Sequence, residues 1–133
     1  MTKSTVHAEF KSDIRQVWDI VTSLEQYGWR SDLSKIEVLE PGKTFVEYTK
    51  DHFPTRFTIT AFEPCSRYEF DMENENMSGH WSGLFSQSNG RTCIEFTENV
   101  TAKKMLMKPF VKGFLQKQQA CYIEDLKRVL KEL

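Results

Sequence analysis

The sequence lacks the features that would place it in a membrane, a secreted compartment or a metal site. No run of its 133 residues approaches the roughly eighteen consecutive apolar residues needed to cross a bilayer. The first five residues have no apolar stretch behind them, so we expect no signal peptide and a cytoplasmic location. Cys65, Cys93 and Cys121 are an odd, widely spaced set with no Cys-x-x-Cys pair, which excludes a disulfide framework and argues against a zinc site. We expect a reduced, soluble protein with no metal and no other cofactor.

An excess of charge of one sign is also missing. Eighteen Lys and Arg face nineteen Asp and Glu, for a net charge of −1. Nucleic-acid-binding domains usually carry a clear basic excess, so we expect no nucleic-acid partner. The chain is 39% hydrophobic and contains ten Phe, which excludes disorder and indicates an aromatic core. Its length fits one domain, residues 1–133.

Catalytic signatures are equally scarce. The sequence contains no Ser/His/Asp grouping, phosphate-binding loop or dinucleotide glycine motif. His7 and His80 fall on the outward faces of their predicted strands, and His52 lies in a predicted turn. None of the three has the spacing of a metal ligand. The sequence therefore identifies no catalytic residue, and the catalytic residues are unknown from it.

Seven segments alternate apolar and polar residues with the period of two expected of half-buried strands. One covers the first ten residues, where Val6, Ala8 and Phe10 share a face. The other six follow residue 34 and are separated by turn residues. Asn89-Gly90 is the strongest hairpin signal among them. The pattern predicts a seven-stranded antiparallel sheet.

Two short helices are predicted between the first and second strands. Apolar residues at helical spacing follow the capping residue Ser12 and indicate a helix over 13–22. Ser23 with Gln26 three residues later forms a capping-box pattern for a second helix that ends near Gly28.

The last 31 residues predict one long amphipathic helix, with Pro109 either near its start or bending it. The apolar arc of this helix comprises Met107, Phe110, Val111, Phe114, Leu115, Cys121, Tyr122, Leu126, Val129 and Leu133. A helix of this size is needed to cover the apolar face of the sheet, so the fold class is α+β.

Several segments carry a resemblance to a known family. They are residues 6–21, Tyr27-Gly28-Trp29-Arg30, residues 34–39, Phe62-Glu63-Pro64, Arg67-Tyr68-Glu69-Phe70 and the basic carboxy-terminal helix. In their order they resemble the helix-grip fold of the START-like, or Bet v 1-like, superfamily (SRPBCC). More narrowly, the chain is similar to the small bacterial polyketide cyclase/dehydrase and lipid-transport proteins of that group. The resemblance implies a hydrophobic cavity between the sheet and the long helix.

Aromatic residues on the predicted inner face are the candidates for lining that cavity. Trp29 is added because, with Arg30, it lies at the rim where this fold opens its cavity. The predicted lining residues are Phe10, Trp29, Tyr48, Phe57, Tyr68, Phe70, Trp81, Phe85, Phe96, Phe110, Phe114 and Tyr122. Gly79 and Gly83, which flank Trp81, slightly favour open space over a filled core. Whether these side chains leave a cavity or fill it stays open.

Polar groups that could act inside the cavity are few. Tyr48, Tyr68 and Tyr122 each offer a hydroxyl at the end of an apolar ring. Glu47 and Glu98 are ambiguous, because a shift of one residue in strand register turns either carboxylate inward.

Three functions remain open. The first is binding of a small hydrophobic molecule that is lipid-like, isoprenoid or aromatic. The second is catalysis of the polyketide cyclase or dehydratase type in the same cavity. The third is interaction with a protein or membrane through the carboxy-terminal helix, because residues 103–133 carry a net charge of +5. A weak homodimer through an exposed edge strand is conceivable, but no residue supports it.

Overall fold

The computed structural model describes residues 1–132 and contains seven strands, one short 3₁₀ helix and two α-helices. In chain order they are β1 (Thr2–Phe10), α1 (Ile14–Thr22), β2 (Leu33–Glu40), β3 (Thr44–Thr49), β4 (Pro54–Glu63), β5 (Arg67–Glu73), β6 (Met77–Ser88), β7 (Arg91–Ala102), the 3₁₀ helix (Met105–Phe110) and α2 (Val111–Val129).

The seven strands form one antiparallel sheet in the order β1-β7-β6-β5-β4-β3-β2. Each strand from β2 to β7 pairs with its neighbour in sequence, and β1 pairs with β7. The β6–β7 turn places Asn89 and Gly90 at φ values of 54° and 76°, as a tight hairpin turn requires. The predicted α+β class and the helix-grip arrangement are confirmed.

Helix α2 packs along β1 and covers the concave face of the sheet. Its buried apolar residues, Leu115, Ile123 and Leu126, recur at helical spacing. Gln119 is also buried, and it exchanges two hydrogen bonds with Ser4 of β1, at 2.7 and 2.9 Å. Because both partners are satisfied, a polar pair can lie in this interface without a large desolvation penalty.

The first of the two predicted short helices is α1. In the second segment Ser23 makes the predicted cap contact, since its Oγ accepts from the Gln26 amide at 3.0 Å. The chain then continues through a turn in which the Arg30 amide donates to the Tyr27 carbonyl at 3.0 Å. A capped turn therefore stands where a second regular helix was expected.

The predicted inward face of the carboxy-terminal helix is wrong at its start. Phe110 and Phe114 are 71% and 56% exposed. The chain forms a 3₁₀ helix up to Phe110, with Pro109 inside it, and α2 begins only at Val111. A 3₁₀ turn has three residues, so an arc drawn at 3.6 residues per turn does not continue through it to Phe110. Phe114 lies within α2, about 100° around the helix from the buried Leu115 and on the side away from Gln119 and Ile123. Leu133, which was placed on the same arc, lies outside the described residues.

The glycines of β6 allow close packing and do not open space. A Cβ atom on Gly83 would come within 2.5 Å of the Trp81 ring, which lies over this glycine. A Cβ atom on Gly79 would meet the Asn99 carbonyl oxygen, also at 2.5 Å. The expectation that the two glycines favour open space is therefore wrong.

Across residues 1–132, no helix is both long enough and apolar enough to span a membrane.

Candidate functional site

A cavity of about 140 Å³ lies between the concave face of the sheet and α2. One side of it is aromatic, formed by Phe57, Tyr68, Phe70, Trp81, Phe96 and Tyr122. The other side is polar and contains Arg30, Asp32, Glu47 and Glu98. Sites for small organic molecules generally have this composition, an apolar wall with a few polar groups that converge.

Contacts between rings hold the aromatic wall in place. Phe70 stacks on Trp81 with centroids 4.8 Å apart, and Trp81 contacts Phe96 at the same distance. Phe96 then meets the edge of Tyr122 from α2 at 5.8 Å. The wall thus runs from the middle of the sheet to the covering helix, and movement of one ring is resisted by the next.

Six of the twelve predicted lining residues are in the cavity wall, and six are elsewhere. Phe10 and Phe85 are buried in the core outside the wall. Trp29 packs edge-on against Tyr122 at 5.3 Å, and its buried Nε1 has no hydrogen-bond partner among the described residues. Phe110, at the end of the 3₁₀ helix, and Phe114, in the first turn of α2, face outward.

The predicted inward direction of Tyr48 is also wrong. Phe45, Glu47 and Thr49 of β3 line the cavity, which turns Tyr48 to the opposite face. There its hydroxyl donates to Glu37 at 3.2 Å. The strand is apolar or aromatic at both Phe45 and Val46, so the sequence pattern did not fix which face is buried.

Arg30 is the central charge of the site. Its guanidinium donates twice to Asp32, at 2.9 and 3.1 Å, and to both carboxylate oxygens of Glu47, at 3.2 and 3.4 Å. It also lies 5.0 Å from the centre of the Tyr122 ring. Burial alone would lower the pKa of Arg30, but the negative charge of Glu47, and after it the contributions of Tyr122 and Asp32, outweigh burial and raise that pKa.

The loop that carries Arg30 is fixed to α2 by a buried carboxylate. Asp125 is 4% exposed and accepts from the backbone amide of Ser31 at 2.8 Å and from its hydroxyl at 2.7 Å. Arg128 donates to the other oxygen of Asp125 at 3.0 Å. Because Ser31 lies between Arg30 and Asp32, this contact holds both charged residues at the cavity.

Glu98 is the second carboxylate of the site. On β7 it follows the inward alternation of Ile94 and Phe96 and is 8% exposed. Within the described part of the chain, no group hydrogen-bonds to it. Burial, and next the negative charge of Glu47, raise the pKa of Glu98 from its ordinary 4.5 to about 7, although Arg30 acts in the opposite direction. Its carboxyl group can therefore gain or lose a proton near neutral pH.

Two phenol groups complete the polar side. Tyr68 is 3% exposed, and Tyr122 lies on α2 across the cavity from it. Burial is the main cause that raises the pKa of both hydroxyls, so each stays protonated and can donate a hydrogen bond. The site thus combines a permanent cation, an acid that titrates near neutrality and two neutral donors.

The sequence predicted Tyr68 and Tyr122 as polar groups of the cavity and did not determine the direction of Glu47 and Glu98. In the structure both glutamates line the cavity. The sequence placed Arg30 at the rim only, and it missed Asp32. Neither residue belongs to a periodic segment, so no alternation could show that the loop folds back over the cavity.

A wider, open depression lies on the outer face of the sheet beside Arg56, Asp71 and His80. His80 contacts Asp71 and Glu69, each at 2.7 Å, so charged side chains already satisfy one another there. The cavity between the sheet and α2 is the better candidate site, because it has both apolar walls and unpaired polar groups.

The chain matches a known protein family over almost its whole length. The model of the family described as polyketide cyclase / dehydrase and lipid transport matches residues 1–131. No curated protein matches the chain.

Several solved structures share the fold. A START superfamily protein from Mycobacterium smegmatis is 10% identical, with a TM-score of 0.86 over 98% of this chain and 97% of that one. The protein XoxI from Bacillus cereus is 12% identical, with a TM-score of 0.82 over 97% and 95%. DynU16, from the dynemicin biosynthetic locus, is 12% identical, with a TM-score of 0.75 over 97% of this chain and 47% of that one. At these identities the likeness concerns the fold.

Proposed function

The chain belongs to the polyketide cyclase/dehydrase and lipid transport family, and on that premise we propose that it binds a small, mainly aromatic molecule with one polar end. The observation that carries the proposal is the two-sided cavity. The apolar body of the ligand packs between Trp81, Phe96 and Tyr122. Its polar end faces Arg30 and Glu98.

The size of the cavity selects among the hydrophobic ligands that the family accepts. A volume of about 140 Å³ is close to that of engineered cavities of roughly 150 Å³, which bind benzene. One ring with a substituent fits within this space, whereas a lipid with two acyl chains or a fused polyketide would extend beyond it. A ligand with a single ring is therefore favoured over a larger one.

The proposal is tested by calorimetric titration with toluene and with 4-methylphenol. We expect both to bind, because each buries one ring. The phenol should bind about five- to tenfold more tightly, since its hydroxyl gains one hydrogen bond inside the cavity. Native mass spectrometry of the freshly purified protein, followed by solvent extraction, identifies any molecule that is carried along. Absence of binding by both probes would contradict the proposal.

A matched pair of variants locates the binding. Val21→Phe adds a ring to the cavity wall, and Val38→Phe adds the same ring at a position 42% exposed on β2. Val21→Phe should abolish binding of the probes, and Val38→Phe should leave it unchanged. Equal effects would mean that the probes bind elsewhere.

A second candidate function is proton transfer within the same cavity, which the unpaired, buried Glu98 favours. The ionised carboxylate would take a proton from the carbon beside a carbonyl group. The C–H electron pair would move into the enolate, whose oxygen accepts a hydrogen bond from Tyr68 or Tyr122. Reactions of the cyclase and dehydratase type begin with such a step.

This candidate is tested by exchange of the methyl protons of acetophenone in deuterated water, followed by NMR. We expect exchange to be accelerated by the protein, with a rate that rises through a pKa near 7. Glu98→Gln should remove the acceleration while calorimetric binding of acetophenone persists. Binding without any accelerated exchange would leave the protein as a carrier.

A further inference from the structure

Five large apolar side chains are exposed within ten residues of the carboxy-terminal region. Exposure is 78% for Met105, 88% for Leu106, 46% for Met107, 71% for Phe110 and 56% for Phe114. We call these five residues the apolar patch. Scattered exposed apolar residues are normal on a protein surface, but a contiguous group of this size marks an interaction surface.

Lysines surround the apolar patch. Residues 103–123 contain five lysines and no acidic residue. Lys103 pairs with Glu73 at 2.9 Å. The other four, Lys104, Lys108, Lys112 and Lys117, make no ion pair with any residue of the described chain. Lys112 instead donates to the carbonyl oxygen of Lys3 at 2.7 Å, which leaves its charge uncompensated.

The apolar patch adjoins the rim of the cavity on both sides. At one end, the Lys103 amide donates to the Asn76 carbonyl at 2.7 Å, next to Met77 of the cavity wall. At the other end, Phe114 lies one helical turn before Gln118, which also lines the cavity.

We propose that the apolar patch and its four unpaired lysines dock this protein onto an anionic lipid bilayer, with the cavity rim towards the membrane. Apolar side chains that carry lysines at their border enter the boundary between headgroups and acyl chains, while each ammonium group stays at the level of the anionic headgroups.

Charge complementarity selects the bilayer over a second copy of the chain. A two-fold dimer through this surface would place the same four lysines against one another, and no acidic residue of 103–123 could compensate them. A bilayer with anionic lipids supplies both the apolar interior and the negative charge. The proposal concerns the outer surface and stands independently of what occupies the cavity.

Cosedimentation of the full chain with vesicles tests the proposal. We expect binding to vesicles of mixed phosphatidylcholine and phosphatidylglycerol, little binding to phosphatidylcholine alone, and loss of binding at high salt. Lys104→Glu with Lys108→Glu should weaken the partition coefficient about thirtyfold or more. Leu106→Ser with Phe110→Ser should likewise weaken binding, because the lysines alone cannot insert into the bilayer.

Control variants of the same chemistry come from the end of the sheet opposite the apolar patch. Two hairpin turns lie there: Arg91 pairs with Ser88 across the turn between β6 and β7, and Thr44 pairs with Glu40 across the turn between β2 and β3. Lys43→Glu with Arg91→Glu matches the charge change, and Val38→Ser with Leu39→Ser matches the apolar change. Both control pairs should bind vesicles like the parent. Equal losses in the patch and control variants would overturn the proposal.

Two further results would also overturn it. One is salt-independent binding to neutral vesicles. The other is self-association in analytical ultracentrifugation that Leu106→Ser with Phe110→Ser abolishes, because a second copy would then cover the patch. Circular dichroism of every variant checks that the fold is retained.

Discussion

Arg30 and Glu47 meet at 3.2 Å in the wall of the cavity, and each side chain is only 15% exposed. Arg30 comes from the loop after α1 and Glu47 from β3, so the pair joins two parts of the chain that are not hydrogen-bonded to each other as strands. A buried pair of this kind stabilises little by itself, but loss of one partner leaves the other charge buried and unpaired.

Replacement of Arg30 should therefore be costly. We expect Arg30→Met to lower the free energy of unfolding by about 3 kcal/mol, because Glu47 loses its buried partner. The double variant Arg30→Met with Glu47→Met should recover part of this loss. Arg67→Met removes ion pairs with Glu63 and Glu69. The Arg67 and Glu63 side chains are 44% and 55% exposed, and Glu69 keeps its contact with His80, so the variant should cost less than about 1 kcal/mol. Urea denaturation measures all three, and equal costs for the Arg30 and Arg67 variants would contradict the burial argument.

The raised pKa of Glu98 makes stability depend on pH. The folded protein holds this proton up to about pH 7, whereas the unfolded chain releases it near 4.5. Between these values the native state binds more protons, so the contribution of Glu98 to stability falls as pH rises.

Glu98→Gln should remove the loss of stability that ionisation of the buried Glu98 carboxyl group causes as pH rises. The variant should be more stable than the parent by up to about 3 kcal/mol at pH 8 and show no gain below pH 4. Glu9→Gln, at an exposed position of β1, is the control and should change little at either pH. Urea denaturation across this range measures the difference. A gain that is the same at pH 4 and pH 8 would rule out titration of Glu98 as its cause.

Substitution by alanine should lower stability at Gly83 and raise it at Gly113. At Gly83 a Cβ atom meets the Trp81 ring at 2.5 Å, so Gly83→Ala should displace that ring from the cavity wall and cost roughly 1–3 kcal/mol. At Gly113, in the first turn of α2, nothing lies within 4 Å. Gly113→Ala should stabilise the helix by up to about 1 kcal/mol. Thermal unfolding measures the change in stability of each variant. Tryptophan fluorescence should change only in the Gly83 variant.

Ser31 should influence ligand binding although it does not line the cavity. Ser31→Ala removes the hydroxyl that donates to Asp125 at 2.7 Å, at a cost of about 1 kcal/mol in stability. Because this contact fixes the loop of Arg30, affinity for 4-methylphenol should fall while affinity for toluene stays the same. Ser86→Ala, on the exposed face of β6, is the control. A parallel loss for both probes would place the effect in the apolar wall.

The sequence alone determined the order of the strands, the single antiparallel sheet, the helices α1 and α2, and the family to which the chain is similar. Each of these depends on local information. Alternation of apolar residues identifies a strand wherever one face is buried, as along β1 and β7, and Asn89-Gly90 sets the hairpin between β6 and β7. The same alternation predicts an inward direction for Tyr68, Trp81 and Phe96, which line the cavity, because the residues directly on either side of each are polar.

Which side chains form the polar side of the cavity was determined only by the tertiary structure. In β3 both faces carry apolar side chains, so the choice between Glu47 and Tyr48 depended on which of Phe45 and Val46 packs against the core. Before α2 the 3₁₀ turn changes the helical period at Phe110, and within α2 Phe114 lies away from the buried face of the helix. Arg30 enters the site on an irregular loop, which is held by a contact between residues 31 and 125. A contact across such a distance in sequence leaves no periodic signal, because it arises only when the helix, the loop and the sheet pack together.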